Sequence, residues 1–178
     1  MKQINSRRKL LLILSLCAIT LFGVTAYALT NTRLATGYLA NSELFNGPAD
    51  VRMSKTVMGT GETSGWHLHP GLLYVIVTRG TLTLEHGCGG VENYSAGQAF
   101  TEHSTDIHQA VNYGSQELEF YVTAIAPAGS PGRISFDGPR CGPPANKGEC
   151  RDERWRTFNY PRSFDNQGDC VSYIETGK

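Results

Sequence analysis

The chain has 178 residues, with sixteen Lys and Arg balanced by sixteen Asp and Glu, and 40% of its residues are hydrophobic. Four of the basic residues lie in the first 28 with no acid beside them, so residues 29–178 hold twelve Lys and Arg against sixteen acids, a net charge of −4. That balance argues against a nucleic-acid partner, and 150 residues can bury something like two thirds of their unfolded surface in one core, so one domain is expected.

Lys2, Arg7, Arg8 and Lys9 precede a fifteen-residue apolar run, Leu10 to Val24, and then Ala26-Tyr27-Ala28. A basic n-region, a short h-region and an A-x-A site predict a signal peptide over residues 1–28, cleaved after Ala28. The run falls short of the roughly 18–20 apolar residues of a membrane span, so no stable span is expected after cleavage. Export to the periplasm or the extracellular space follows. Ser6-Arg7-Arg8 before Lys9 is similar to a twin-arginine signal, and an ordinary basic n-region accounts for the same residues. Cys17 follows Leu16, which is too bulky for the position before a lipid-modified cysteine, and reads as signal filler. Four cysteines remain, at 88, 141, 150 and 170, an even number in an exported chain. Two disulfides are expected, since the spacings do not suit zinc.

Beyond residue 50, helical periodicity is scarce and short β-branched and aromatic runs recur between Gly, Pro, Asn and Asp. The predicted strands are Val51 to Met58, Leu72 to Thr78, Thr81 to Glu85, Gln98 to Glu102, Ile107 to Val111 and Glu117 to Ile125. Arg79-Gly80 is expected to form a tight hairpin turn between the second and third. Many short strands at this spacing make the class all-β, a sandwich or closed barrel.

After Pro127 the composition turns to Gly, Pro, Arg and Asn through Gly138-Pro139-Arg140-Cys141-Gly142-Pro143-Pro144. The domain plan is thus a barrel over 29–127 and an irregular extension over 128–178. Trp155, Phe158, Tyr160 and Phe164 in the extension favour packing on the barrel over a free tail. Cys141 and Cys150 flank a loop short enough to bridge locally, leaving Cys88 with Cys170; this pairing is the expectation among three connectivities.

Two segments carry chemistry. In the first, Gly61 is followed after five residues by His67-Leu68-His69, and period-two alternation puts both imidazoles on one face. In the second, Gly97 leads through His103 and Thr105 to His108 and Asn112. The first segment resembles the cupin motif G-x5-H-x-H-x3-E-x6-G, with Gly61, His67, His69 and Gly80 in register. The second resembles the partner motif G-x5-P-x-G-x2-H-x3-N, with Gly97, His108 and Asn112 in register. The match runs over about residues 50–127, with both motifs in order. It implies a single double-stranded β-helix, or jelly-roll, barrel.

The resemblance also implies that His67, His69 and His108 hold one divalent transition metal ion (Fe, Mn, Ni, Cu or Zn) in the barrel mouth. Three positions depart from the pattern. Leu73 stands where the motif has its glutamate, His103 replaces a turn proline and Thr105 a turn glycine. Three neutral imidazoles leave the ion with its full charge and open positions, a site suited to an anionic or chelating ligand. A fourth ligand is left open among water, His103, Glu102 and Glu62. Such a site is similar to three-histidine cupin dioxygenases for thiols or diketones. The expected function is a metal-dependent oxidoreductase acting on a small organic substrate, with Glu102 or His103 relaying a proton. The alternative is a non-catalytic cupin of the cell envelope that binds a small ligand or the metal itself. A homodimer through an edge strand is common in the resembling family. His86 beside Cys88 reads as a surface histidine next to a disulfide.

Overall fold

The computed structural model describes residues 29–178, and the predicted signal segment lies outside them. The strands pair antiparallel in two five-stranded sheets. The first runs β1 (Thr30–Ser42), β2 (Gly47–Met58), β9 (Leu118–Pro127), β4 (Leu72–Arg79), β7 (Ala99–Glu102). The second runs β10 (Ile134–Ser135), β3 (His67–Leu68), β8 (His108–Val111), β5 (Thr81–His86), β6 (Val91–Ser95). This is the all-β jelly-roll barrel that the motif pair implied.

Alternation builds the core. In β4, Leu73, Val75 and Val77 point inward with 3% exposure or less, while Tyr74 and Ile76 face out about half exposed. Met58, Val75, Val77, Leu82, Leu84, Ala110, Leu118 and Phe120 close between the sheets, with Phe100 and Val122 packed against them. Each such side chain contributes about 1.5–3 kcal/mol by leaving water. The six predicted strands all form, five of them within two residues of their expected limits and β2 starting four residues earlier.

Three expectations are corrected. The longest strand, β1, was not foreseen, because it is exposed along nearly its whole length and is held at the sheet edge by its ladder to β2. No inward apolar face marks it in the sequence. Second, Arg79-Gly80 does not close a hairpin. β4 and β5 lie in different sheets, so the turn carries the chain across the barrel. Gly80 takes φ +77°, and a Cβ there would sit 3.0 Å from the Glu117 carbonyl oxygen, so glycine is required.

The third correction concerns the disulfides: Cys88 pairs with Cys141 and Cys150 with Cys170, not Cys141 with Cys150. The extension lies directly on the β5–β6 turn, where a Cβ on Gly87 would fall 2.0 Å from the Arg140 carbonyl oxygen. That contact seats Cys141 beside Cys88. Helix α1 (Gln167–Thr176), capped by the Asn166 side chain accepting from the Asp169 amide, then presents Cys170 to the 3-10 turn Lys147–Cys150. The extension is therefore less irregular than its composition suggested. Cys141, Cys150, Phe158, Phe164 and Cys170 form a second core with Trp155 and Tyr173 against it. β10 adds to β3, and the Phe136 amide donates to the Trp66 carbonyl. Among the described residues, no helix is long and apolar enough to cross a membrane.

Candidate metal centre

His67 lies on β3 and pairs in register with His108 on β8, so the sheet ladder itself sets two of the three imidazoles side by side. His69 follows just after β3, two residues on and thus on the same face as His67. The ring centroids of His67 lie 4.7 Å from those of both His69 and His108, and one ring nitrogen of each residue comes within 4.8 Å of the others. His108 is fully buried and His67 nearly so.

The backbone orients all three rings. His67 Nδ1 donates to the Gly65 carbonyl at 2.7 Å, His69 Nδ1 to the Gly132 carbonyl at 2.7 Å, and His108 Nδ1 to the Asp106 carbonyl at 3.1 Å. Nδ1–H donation leaves the lone pair on Nε2 in each ring, the arrangement in which histidine binds a metal. His108 Nε2 is buried and makes no well-formed hydrogen bond, its contact being the Glu102 Oε2 at 3.3 Å. A buried polar atom without a hydrogen bond is costly, and a cation at this point would satisfy it. The donor set and this orphaned nitrogen fit a divalent ion.

Glu102 ends β7 and is 8% exposed. Its Oε2 lies 3.3 Å from His108 Nε2 and 3.5 Å from His69 Nε2. His103, one residue on, is exposed, touches the Thr101 hydroxyl and does not line the cavity. Glu62 is also away from the cluster, accepting from the Gly59 amide. Asn112 is a latch: its buried amide donates to the Met58 and Gln116 carbonyls and accepts from the Gly114 amide.

Burial, reinforced by the neighbouring imidazoles of His108 and His69, pushes His67 down to about 2. His69 is also lowered, chiefly by burial, with Glu102 opposing. Burial would lower His108 too, but the carboxylates of Asp106 and Glu102 outweigh it and lift the ring to about 10. Two rings are thus neutral donors, and at the third a proton and a metal compete for Nε2.

Sequence reasoning missed Asp106. Its Oδ2 accepts from His86 Nδ1 at 2.9 Å and lies 3.5 Å from His108 Nδ1. Burial works to raise this carboxyl, but the two imidazole partners hold it well below the usual range. The signal was weak, because an aspartate two residues before a ligand histidine is also ordinary turn chemistry. His86 is not a ligand but the outer member of this chain, and Cys88 beside it is the disulfide cysteine expected.

His67, His69 and Glu102 open onto a cavity of about 360 Å³. Leu73, Phe120, Val122, Ala124 and Ala126 make one wall apolar, while Arg52 and Arg133 face the space. Arg52 is paired with Asp50 at 2.9 Å. Arg133 donates to the Ser64 carbonyl and the Ser135 hydroxyl and has no carboxylate partner among the described residues.

The cupin domain family matches residues 55–124, the stretch that contains β4 to β8, the three histidines and Glu102. The chain thus carries a match to the cupin domain over that stretch. Solved structures similar to it include a cupin domain from Bordetella pertussis Tohama I, 21% identical over 55% of this chain and 93% of that one, with a TM-score of 0.43. A cupin 2 conserved barrel domain protein from Salinispora arenicola CNS-205 is 24% identical over 56% and 76%, also at 0.43. A double-stranded β-helix protein from Klebsiella pneumoniae is 18% identical over 60% and 84%, at 0.47. No curated protein matches the chain.

Proposed function

We propose that this chain is an exported metalloprotein that binds one divalent transition metal ion through His67, His69 and His108 and acts as a metal-dependent oxidoreductase, dioxygenase-like, on a small organic substrate. The observation that carries the reading is the convergence of three imidazoles, with ring nitrogens within 4.8 Å of one another and each Nδ1 tethered to a backbone carbonyl, beside a cavity that His67 and His69 line. A bound ion supplies Lewis acidity and, if redox-active, electron exchange with dioxygen. The chain's own residues do the rest. Leu73, Phe120 and Val122 receive the apolar part of a substrate and exclude water, and the cavity volume sits at the small end of the roughly 300–1,000 Å³ usual for small-molecule sites. Arg133, with no carboxylate partner, offers a guanidinium to an anionic end. Of the two residues expected to relay protons, Glu102 lines the cavity and stays in this reading, whereas His103 does not.

Export is supported by the predicted signal segment and by the two disulfides, which belong to an oxidising compartment. A second reading, a binding protein without catalysis, is favoured by the apolar wall, since burial alone would hold a ligand there. Metal analysis of the mature protein from its native export fraction tests the site. Oxygen uptake by iron-loaded protein over a panel of thiols and diketones then decides between the readings. Uptake with none of them, on protein shown to hold iron, favours the binding protein.

A further inference from the structure

We propose that Glu102 is a fourth protein ligand of the metal, so that the donor set is three imidazoles and one carboxylate delivered from β7. This rests on the metal-site reading above and gives Glu102 a ligand role in place of the proton relay.

A carboxylate at 8% exposure needs a partner, because an ion taken out of water loses its hydration. Outside the histidine cluster, no described donor hydrogen-bonds the Glu102 side chain. Its partners are His108 and His69, and its Oε2 faces their Nε2 atoms at 3.3 and 3.5 Å. Those are the same two nitrogens that the Gly132 and Asp106 carbonyls leave as lone-pair donors. Two atoms bound to one ion at about 2.1 Å lie roughly 3.0–3.4 Å apart in an octahedral or tetrahedral shell. The oxygen already stands at close to that spacing from both.

Register explains how the carboxylate arrives there. Glu102 on β7 is the cross-strand partner of Leu73 on β4. Residues directly opposite in an antiparallel pair project from the same face with Cβ atoms about 4.5–5.5 Å apart, so side chains at 73 and 102 reach into one volume. An acid at either position can serve the ion, and Leu73 leaves the space free for the acid at 102. A glutamate bound to the metal also offsets one of its two charges. That narrows the preference of the open positions for a dianionic ligand and leaves room for a monoanion.

The test is a set of variants titrated with Zn(II) against a competing chelator, together with the visible spectrum of the Co(II) form. Glu102→Gln keeps the shape and is expected to weaken Zn(II) by at least tenfold and to shift the Co(II) bands. Leu73→Glu combined with Glu102→Gln is expected to recover most of the affinity, which a fold defect would not allow. His108→Ala is the non-binding control, and circular dichroism of each metal-free variant reports folding. Should Glu102→Gln bind as the parent does, or weaken with an unchanged Co(II) spectrum, the ligand assignment is overturned while the three-histidine site stands. A parent that binds neither ion overturns both.

Discussion

His108 shows how one residue couples the fold to the site. Its imidazole is fully buried, its Nδ1 is held at Asp106, and its Nε2 has no protein hydrogen bond. Asp106 in turn accepts from His86, so a half-buried histidine, a carboxylate and the buried His108 imidazole stand in line. Partners of this kind orient a ligand ring and raise its basicity, and their loss costs 10–100-fold in metal affinity. Asp106→Asn is therefore expected to weaken Zn(II) by about that factor while leaving the folded barrel intact. Calorimetric titration checks it, and affinity equal to the parent would show that the Asp106 to His86 chain has no bearing on the metal.

At the scale of elements, the extension acts as a clamp on the barrel and reaches the site. The Gly132 carbonyl that orients His69 belongs to it, just before β10. The Cys88–Cys141 bridge spans 53 residues and the Cys150–Cys170 bridge 20. In the chain-entropy account these contribute about 4 and about 3 kcal/mol respectively. Replacing Cys88 and Cys141 together by Ser should lower unfolding stability by about that larger amount and loosen the extension, measured by denaturant melts. Unreduced peptide mapping should recover these two pairs, and a Cys141–Cys150 peptide would contradict them. Helix α1 adds an acid-sensitive contact. Arg162 forms a two-pronged pair with Asp169 at 2.8 Å on each oxygen, and that partner holds the Asp169 carboxyl down to about 2. A carboxyl lowered on folding stabilises at pH above its unfolded value and loses that contribution as pH falls through the folded one. Amide exchange in α1 should accordingly quicken as pH drops from about 4 toward 2, after correction for intrinsic rates, and Asp169→Asn should flatten that dependence.

For the whole molecule, metal and fold are linked but not identical. The hydrophobic cores between the sheets and in the extension contain no metal ligand, so the apo protein should fold. An ion that binds the native state at a hundred times its Kd adds about 2.7 kcal/mol, which corresponds to roughly 5–10 °C in Tm for a domain of this size. Scanning calorimetry with Zn(II), reversed by chelator, measures this. No shift at saturating Zn(II) would argue that the cluster holds no ion. The disulfides set a second condition: reductant should lower Tm whether or not metal is present.

What the sequence determined by itself was local. Alternation of apolar residues placed Leu73, Val75 and Val77 on one strand face, and the i, i+2 spacing placed His67 beside His69, because a side-chain period of two needs only neighbouring residues to be read. The second motif supplied His108 by its resemblance. Tertiary structure decided everything that depends on distant segments meeting. Strand pairing set Glu102 opposite Leu73 and brought its carboxylate to the imidazoles. Packing of Arg140 on the Gly87 turn chose the disulfide partners against the shorter loop. β1 was invisible because an exposed edge strand is held by backbone hydrogen bonds, which any sequence can make. The carbonyls that orient the three histidines left no trace in the sequence for the same reason: every residue carries one, and only the fold selects which of them faces a ring.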